Sequence, residues 1–425
     1  MPAAWRRPVL SVLAVLAICG FLRAGSLQVT ETRLGLADTQ CKSVTFFDIA
    51  PNGKDFAYTG PIGGPRAEWA TWVDGRKACE ADSIVLLQFS PSGGLLVGGT
   101  QDRGEFASLS ANPGSLTAAR TYDRVNWRSV TCDPGGSALS FAAAQGHKWL
   151  VVSNGVEGKE YDGVGLPCAT AGGTTVSYPA FEGERFGKAQ WFVVSGNKEG
   201  RRCDAEFLGW LKPGISDGRL AYVVAQNGKA RVVDNERAGT KYDDIGWLEF
   251  VPGTNQLCYA ARAHGKWFVV KEGYPLRERY DDIAWLGFSP DGRRMAFVAT
   301  SGNRQFCVTD GTRGRDWDEV VLPQFSPDSR KSGYLARRDD KWSVVINERA
   351  GKAYDGVSWL VWNGGSSDVA HRARQGGRYC LVVDGAESRP YDDISRLWWA
   401  PNGRTLLAAA RQDRELLLLR ADLNK

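Results

Sequence analysis

The alternation of apolar and polar positions is clearest between residues 283 and 318. The apolar run Ile283-Ala284-Trp285-Leu286-Gly287-Phe288 stops at Ser289-Pro290-Asp291-Gly292. Proline there presets φ and glycine accepts positive φ, which is the chemistry of a tight turn. Arg294-Met295-Ala296-Phe297-Val298-Ala299 resumes the run, Ser301-Gly302-Asn303 turns the chain, and Gln305-Phe306-Cys307-Val308-Thr309 ends at Asp310-Gly311. A short fourth segment closes on Trp317-Asp318. Such runs are strand-length rather than helix-length, and four of them in about 38 residues predict one propeller blade.

The unit recurs along the chain. A Tyr-Asp marker begins at Tyr122, Tyr161, Tyr242, Tyr280, Tyr354 and Tyr391, with Trp317 standing in as Trp-Asp. Successive spacings are 39, 81, 38, 37, 37 and 37 residues, and the long one divides into 42 and 39 at Cys203-Asp204, a degraded copy. Ala81-Asp82 is another, 41 residues before Tyr122. Turn copies stand at Pro51-Asn52-Gly53, Pro91-Ser92-Gly93, Pro134-Gly135-Gly136, Pro327-Asp328-Ser329 and Pro401-Asn402-Gly403. Third-strand copies begin at Lys148-Trp149, Gln190-Trp191, Lys266-Trp267 and Lys341-Trp342. A period of this size is the mark of a repeat architecture. The spacing predicts nine complete units between about residues 43 and 394, and a tenth that stops after Leu416-Leu417-Leu418-Leu419, its third strand. The segment from Leu27 to Val44 is placed to supply the missing fourth strand, so that no open sheet edge remains. The expected fold is an all-β propeller of about ten four-stranded blades, in one ring closed by an N-terminal strand. Two smaller rings are the alternative.

The stretches Phe288 to Phe297 and Phe325 to Tyr334 resemble the Phe-Ser-Pro-Asp-Gly repeats of TolB-type and WD-type propellers, and weaker forms cover most of residues 43–410. The Lys-Trp strand followed by Tyr-Asp is also similar to bacterial WG repeats, although Leu150, Phe268 or Ser343 follows the Trp where those have Gly. The additional α/β domain of TolB has no room in this chain. The resemblance implies a binding scaffold, and it does so at the level of fold rather than mechanism.

Composition fits this picture: 50 Gly and 16 Trp against 2 Met suit many turns and large, rigid core residues. The net charge of +5 comes from 53 basic and 48 acidic residues interspersed along the chain. No basic block stands out, so nucleic acid is not the expected partner. The N-terminus is different. Arg6 and Arg7 precede an apolar run over residues 8–22, followed by Arg23-Ala24-Gly25-Ser26, which reads as an export signal. The run is shorter than the roughly 20 residues of a comfortable membrane span, but uncleaved it would tether the chain to a membrane. Cys19 follows Ile18 where a lipidation site wants a small residue. The expected layout is an export signal or anchor over residues 1–24 and a propeller over 25–425, located in the periplasm or outside the cell. The other eight cysteines, at 41, 79, 132, 168, 203, 258, 307 and 380, form no CxxC and no zinc-binding spacing. Pairing of Cys41 with Cys79 or Cys168 with Cys203, and buried free thiols, both stand open.

Propeller geometry puts the marker and the turn between second and third strands on one face. Asp123, Asp162, Asp243, Asp281, Asp318, Asp355 and Asp392 would then ring that face. They form either an acidic mouth for a cation or basic peptide, or one half of a set of ion pairs with Lys148, Lys229, Lys266, Arg304, Lys341 and Arg378. The pairing reading is preferred because one base accompanies each acid. Tryptophans fall in two series. Trp127, Trp247, Trp285 and Trp359 begin innermost strands, and Trp149, Trp191, Trp267 and Trp342 lie in third strands. Recurrence at one place per unit suits packing between blades for both series, and Trp247, Trp285 and Trp359 are also candidate binding residues because some inner-strand positions face the channel. His147, His264 and His371 form no metal cluster, and neither a nucleophile elbow nor a phosphate-binding glycine loop occurs. No cofactor or metal is expected. The reading is a non-catalytic exported propeller that binds a protein, peptide or glycan. The alternative is a lyase or glycosidase that uses carboxylates from separate blades at the channel mouth. Residues that break the repeat would discriminate the two: Glu249, Arg128, Arg396 and the insert from Phe181 to Lys188.

Overall fold

The computed structural model describes residues 27–423 apart from 64–67, 91, 102–103, 111–119, 133–138, 170–174, 184–188, 215–218 and 401. The export segment, Cys19, the turn copies at Pro91, Pro134 and Pro401, and most of the Phe181–Lys188 insert lie outside the described residues.

The strands assemble into ten antiparallel sheets arranged as the blades of one propeller. Blade 7 shows the plan, with Asp282–Phe288 innermost, then Met295–Ser301, Arg304–Thr309 and the short outer strand Thr312–Arg313. Innermost strands touch around the ring: Phe46–Ile49 of blade 1 lies against both Ser83–Phe89 of blade 2 and Asp393–Trp399 of blade 10.

Each middle strand is covered on both faces, because a blade packs against a neighbour on either side. In blade 7, Ala296 and Val298 join the cluster shared with Tyr334 and Val345 of blade 8, while Phe297 and Ala299 join the one shared with Ala260 and Val269 of blade 6. Period-2 alternation therefore feeds two cores instead of one core and solvent. For that reason the second strands read as unbroken apolar runs.

The turn between first and second strands is fixed locally and to its neighbour. Ser289 Oγ donates to Asp291 at 2.6 Å, and Gly292 at φ +70° donates its N–H to the Ser289 carbonyl. A Cβ at Gly292 would lie 2.3 Å from the Pro252 carbonyl of blade 6, so glycine is required for clearance as well as conformation. The Asp291 N–H reaches Ser329 Oγ in the equivalent turn of blade 8, and the Asp328 N–H repeats this to Ser366 of blade 9.

Blades 2, 3 and 4 depart from the plan. Blade 2 has three strands among the described residues, and Tyr122 bridges Glu105 just as the later markers bridge the third strands of the blades before them. In blade 4 the innermost strand is split into Gly163–Val164 and Cys168–Ala169. In blade 3 the innermost strand is split into Arg124–Val125 and Thr131–Cys132 by a 3-10 turn over Trp127–Ser129, capped by Asn126. Trp127 thus sits in a turn rather than beginning a strand, because the Asn126 side chain captures a backbone N–H that a ladder would otherwise use. The seven cysteines whose side chains are described, 41, 79, 168, 203, 258, 307 and 380, are free thiols. Neither sequence-neighbour pairing occurs: Cys41 is buried beside the Ser43 carbonyl, and Cys168 and Cys203 lie on opposite edges of blade 4.

The tenth blade is completed from the other end of the chain. Thr30–Leu36 pairs antiparallel with Glu415–Asp422 at six ladder positions, from Thr30 opposite Arg420 to Leu36 opposite Glu415. Glu31 receives Arg389 at 2.5 and 2.7 Å and the Tyr391 hydroxyl at 2.7 Å. Glu387 receives Lys352 and the Tyr354 hydroxyl in the same way one blade earlier. The closing strand therefore carries the repeat's own outer-strand carboxylate, although it is far away in sequence. Phe47, Tyr58 and Trp72 of blade 1 pack against Ala409 and Leu416 of blade 10 behind it.

Removal of residues 27–36 should cost several kcal/mol, at about 1 kcal/mol per ladder hydrogen bond, and should expose the edge of Glu415–Asp422. A lowered urea midpoint with light scattering from associated chains is the expected outcome. An unchanged midpoint would contradict closure by this strand.

Candidate functional site: the marker ring and the channel wall

Each marker aspartate directly precedes an innermost strand and joins two blades. Its Oδ2 accepts the backbone N–H of the turn between second and third strands of its own blade: Gly146 for Asp123, Gly183 for Asp162, His264 for Asp243 and Gly302 for Asp281. Asp339, Gly376 and Asp413 serve Asp318, Asp355 and Asp392 likewise. Oδ1 takes the base that begins the third strand of the preceding blade. Lys148–Asp162 spans 2.7 Å, Lys229–Asp243 and Lys266–Asp281 2.5 Å, Lys341–Asp355 2.6 Å and Arg378–Asp392 3.2 Å, and Arg304 pairs with Asp318. At Asp123 the base position is occupied by Gly104. The ring is thus a series of clasps, with both carboxylate oxygens engaged inside the protein in six of the seven.

The degraded marker keeps the clasp with different residues. In blade 5, Gln190 reaches Asp204 while Glu206, in the place directly before the strand, accepts the Asn227 N–H at 2.9 Å. Two side chains divide the work of one.

The lysine beside each carboxylate, helped by the turn N–H, holds Asp243, Asp281 and Asp355 below the ordinary aspartate range. A carboxylate whose folded pKa is depressed stabilises the fold above its unfolded pKa. That contribution is lost as pH falls through the folded value.

The repeat-breaking residues of the innermost strands also find partners. Glu249 accepts Lys212 of blade 5 at 2.6 Å. Arg396 of blade 10 donates to Asp48 of blade 1 at 2.9 Å and to the Phe89 carbonyl of blade 2 at 3.1 Å, tying three blades at the seam. Asp48 is only 4% exposed and also accepts the Phe89 and Ile49 N–H groups. Burial raises its pKa, and the Arg396 charge opposes that rise. Arg128 is exposed in the 3-10 turn of blade 3.

The channel wall of blades 5, 6, 8 and 9 carries a further feature. The ladder skips a step at the fourth residue of each innermost strand, and that residue is left-handed: Trp210 at φ +53°, Trp247 at +50°, Leu322 at +52° and Trp359 at +60°. In this kind of bulge the left-handed residue is ordinarily glycine. A bulky L-residue there costs about 1–2 kcal/mol. Trp210, Leu322 and Trp359 are 41%, 60% and 44% exposed, and the Trp210 and Trp247 rings meet at 5.6 Å. Trp285 does not belong to this arc. Blade 7 bulges at Ala284 instead, and the Trp285 ring lies along its strand, so that a Cβ on Gly287 would be 2.5 Å away. Trp210 and Leu322 escape a sequence reading built on tryptophans that follow intact markers. Trp210 follows the degraded one, Leu322 is aliphatic, and the sign of φ has no sequence signature outside glycine. The third-strand tryptophans are half-buried, with Arg124, Arg262 and Arg337 over the rings of Trp149, Trp267 and Trp342.

No family model matches the chain, and no curated relative does. Solved structures similar to it include one described as a eukaryotic initiation factor, 11% identical, with TM-score 0.49, covering 80% of this chain and 95% of that one. The Dos1 propeller is 8% identical, with TM-score 0.37, covering 92% of this chain and 94% of its own. Dipeptidyl peptidase 4 of Porphyromonas gingivalis is 9% identical, with TM-score 0.46, covering 80% and 64%. Identities this low convey nothing about function. By its own topology the chain is a ten-bladed β-propeller.

Two outcomes follow from the clasps. Asp281→Asn and Lys266→Met should each lower the melting temperature at pH 7, and the double variant should fall by less than the sum. The loss of stability on acidification below about pH 4 should be shallower in Asp281→Asn. A stabilised Asp281→Asn would instead mark the ring as crowded acid. At the seam, Arg396→Met leaves Asp48 buried and unpaired and should cost roughly 3–5 kcal/mol by urea denaturation.

Proposed function

We propose that this chain is an exported, non-catalytic propeller that binds a protein, peptide or glycan through the apolar arc on the channel wall of blades 5, 6, 8 and 9. One observation carries the reading. Four large side chains, Trp210, Trp247, Leu322 and Trp359, occupy left-handed positions that glycine would fill at lower free energy, and three of them are substantially exposed. Backbone strain kept at one repeat position, without burial in return, argues that the side chains serve a contact outside the fold. Flat rings and a neighbouring aliphatic group suit apolar side chains of a peptide or the apolar faces of sugars. Asp48 and Glu249, the two carboxylates deepest in the innermost strands, are held in ion pairs with Arg396 and Lys212, which suits them to structure more than to acid–base chemistry. The basic and apolar segment before residue 27 supports export.

The arc is tested on peptide and glycan arrays with wild type, Trp359→Gly and Trp359→Ala. Both variants should lose bound signal at least tenfold, while the glycine variant should be more stable than the alanine variant by about 1 kcal/mol, the left-handed penalty. Array binding that survives both substitutions would reject the arc as the contact surface.

A further inference from the structure

At four blade interfaces an aromatic marker residue meets, edge to face, an aromatic third residue of the next blade's second strand. Tyr122 meets Phe141 at 5.9 Å, Tyr242 meets Tyr259 at 6.2 Å and Tyr280 meets Phe297 at 5.5 Å. Between blades 8 and 9 the partner of Tyr354 is His371, at 6.0 Å. The imidazole is 6% exposed, and neither of its nitrogens has a hydrogen-bond partner among the described residues. A second smaller side chain lies beside it. The outer strand carries Glu157, Glu199 and Glu387 in blades 3, 4 and 9, whereas blade 8 has the small Ala350 at that place, as blades 5 to 7 have Ala238, Pro275 and Arg313.

The two smaller side chains open a cavity of about 620 Å³, walled by Val344, Ile346, Trp362, Val369 and Val382 with His371 among them. The equivalent place between blades 4 and 5 keeps the repeat's residues, Tyr222 and Glu199, and encloses about 200 Å³. That joint carries the degraded Cys203-Asp204 marker, and with Tyr222 and Glu199 in place its space is about a third as large. The larger volume falls in the range of small-ligand sites.

The rim carries three cations and one carboxylate, Asp384. Lys331, Arg349 and Lys352 border the cavity. Lys352 is held by Glu387 at 2.6 Å, and Asp384 accepts the Val369 N–H at 3.0 Å. Lys331 donates to the Ser367 carbonyl, while the Arg349 guanidinium has no ion pair or hydrogen bond among the described residues. Burial lowers the His371 pKa to about 4, so at neutral pH the ring offers one N–H and one lone pair.

We propose that the cavity between blades 8 and 9 binds a small amphiphilic anion. Its apolar body lies against the valines and Trp362, a hydroxyl or carbonyl on it meets His371, and its single carboxylate or sulfonate lies at Arg349 and Lys331. A ligand that hydrogen-bonds His371 removes the penalty of a buried, unsatisfied imidazole, which the fold itself leaves standing.

The test uses the fluorescent anion 1-anilinonaphthalene-8-sulfonate and its neutral analogue N-phenyl-1-naphthylamine with the full chain. Wild type should bind one anionic dye saturably, and the neutral dye at least tenfold more weakly. His371→Tyr restores the repeat's aromatic and should weaken the anion at least tenfold with an unchanged or higher melting temperature. Arg349→Gln should weaken it about fivefold, and Trp359→Ala in the channel arc should leave it unchanged. Ala350→Glu places there the carboxylate that blades 3, 4 and 9 carry and should also weaken the anion at least tenfold, which keeps the test decisive if His371→Tyr does not fold. Failure of wild type to bind the anion, or equal affinity in the cavity-filling variant, would show a cavity holding only water and overturn the proposal. Equal binding of the neutral dye would overturn the anionic class of ligand.

Discussion

A sheet buried on both faces needs a neighbour on each side, and this requirement governs the whole molecule. Alternate residues of each second strand enter two different cores, as Ala296 and Phe297 do, so no blade is finished until the next one is in place. A linear stack would leave two apolar faces open at its ends, whereas a ring leaves none. Closure is therefore a condition for burying the first and last blades rather than an ornament of topology. The chain meets it by placing Thr30–Leu36 where Glu31 reproduces the outer-strand carboxylate of the repeat. The Arg396–Asp48 pair reinforces the same seam from the channel side, where partners distant in sequence have the most to gain from a directional contact.

Once the ring is closed, blade spacing must hold at every joint, and the marker clasp does this. One carboxylate gathers a turn N–H from its own blade and a base from the previous blade, so it sets both the depth and the rotation of the joint. Blade 5 shows that geometry rather than residue identity is required. Asp204 and Glu206 share the two bonds that a single aspartate makes elsewhere. Exposed pairs of this kind contribute little singly, and their repetition serves register more than stability.

Much of this is legible in the sequence. Spacing of markers, turns and Lys-Trp strands yields the blade, the number of blades and the strand missing from the tenth. These features depend on chain length and turn chemistry, both of which a sequence carries directly. The acid and base series can be paired because both recur once per unit. Other features require coordinates. The turn at Trp127–Ser129 depends on one asparagine side chain, and a tryptophan pattern alone does not distinguish Trp285, which lies along its strand, from Trp359, which is left-handed and exposed. In the sequence His371 is one of three scattered histidines. Only strand register places it in the column of Tyr222, Tyr259, Phe297 and Tyr334.

In a repeat protein the common residues explain the scaffold, so function is sought among the exceptions, and the exceptions here are of two kinds. Glu249 and Arg396 depart from the pattern but are answered within the chain, by Lys212 and by Asp48. Their presence follows from the energetics of the fold. The left-handed tryptophans and His371 are not answered. Trp210 and Trp359 keep backbone strain with exposed rings, and His371 keeps an unsatisfied imidazole beside an open volume. A fold free to choose would put glycine in the bulges and an apolar or aromatic side chain in the column, as its other blades do for the column. An exception that raises the free energy of the folded chain and finds no partner inside it is best understood through a partner outside. By that argument the channel arc and the cavity between blades 8 and 9 are independent surfaces. The arc faces the channel, whereas the cavity lies between second, third and outer strands, so one can be filled without disturbing the other.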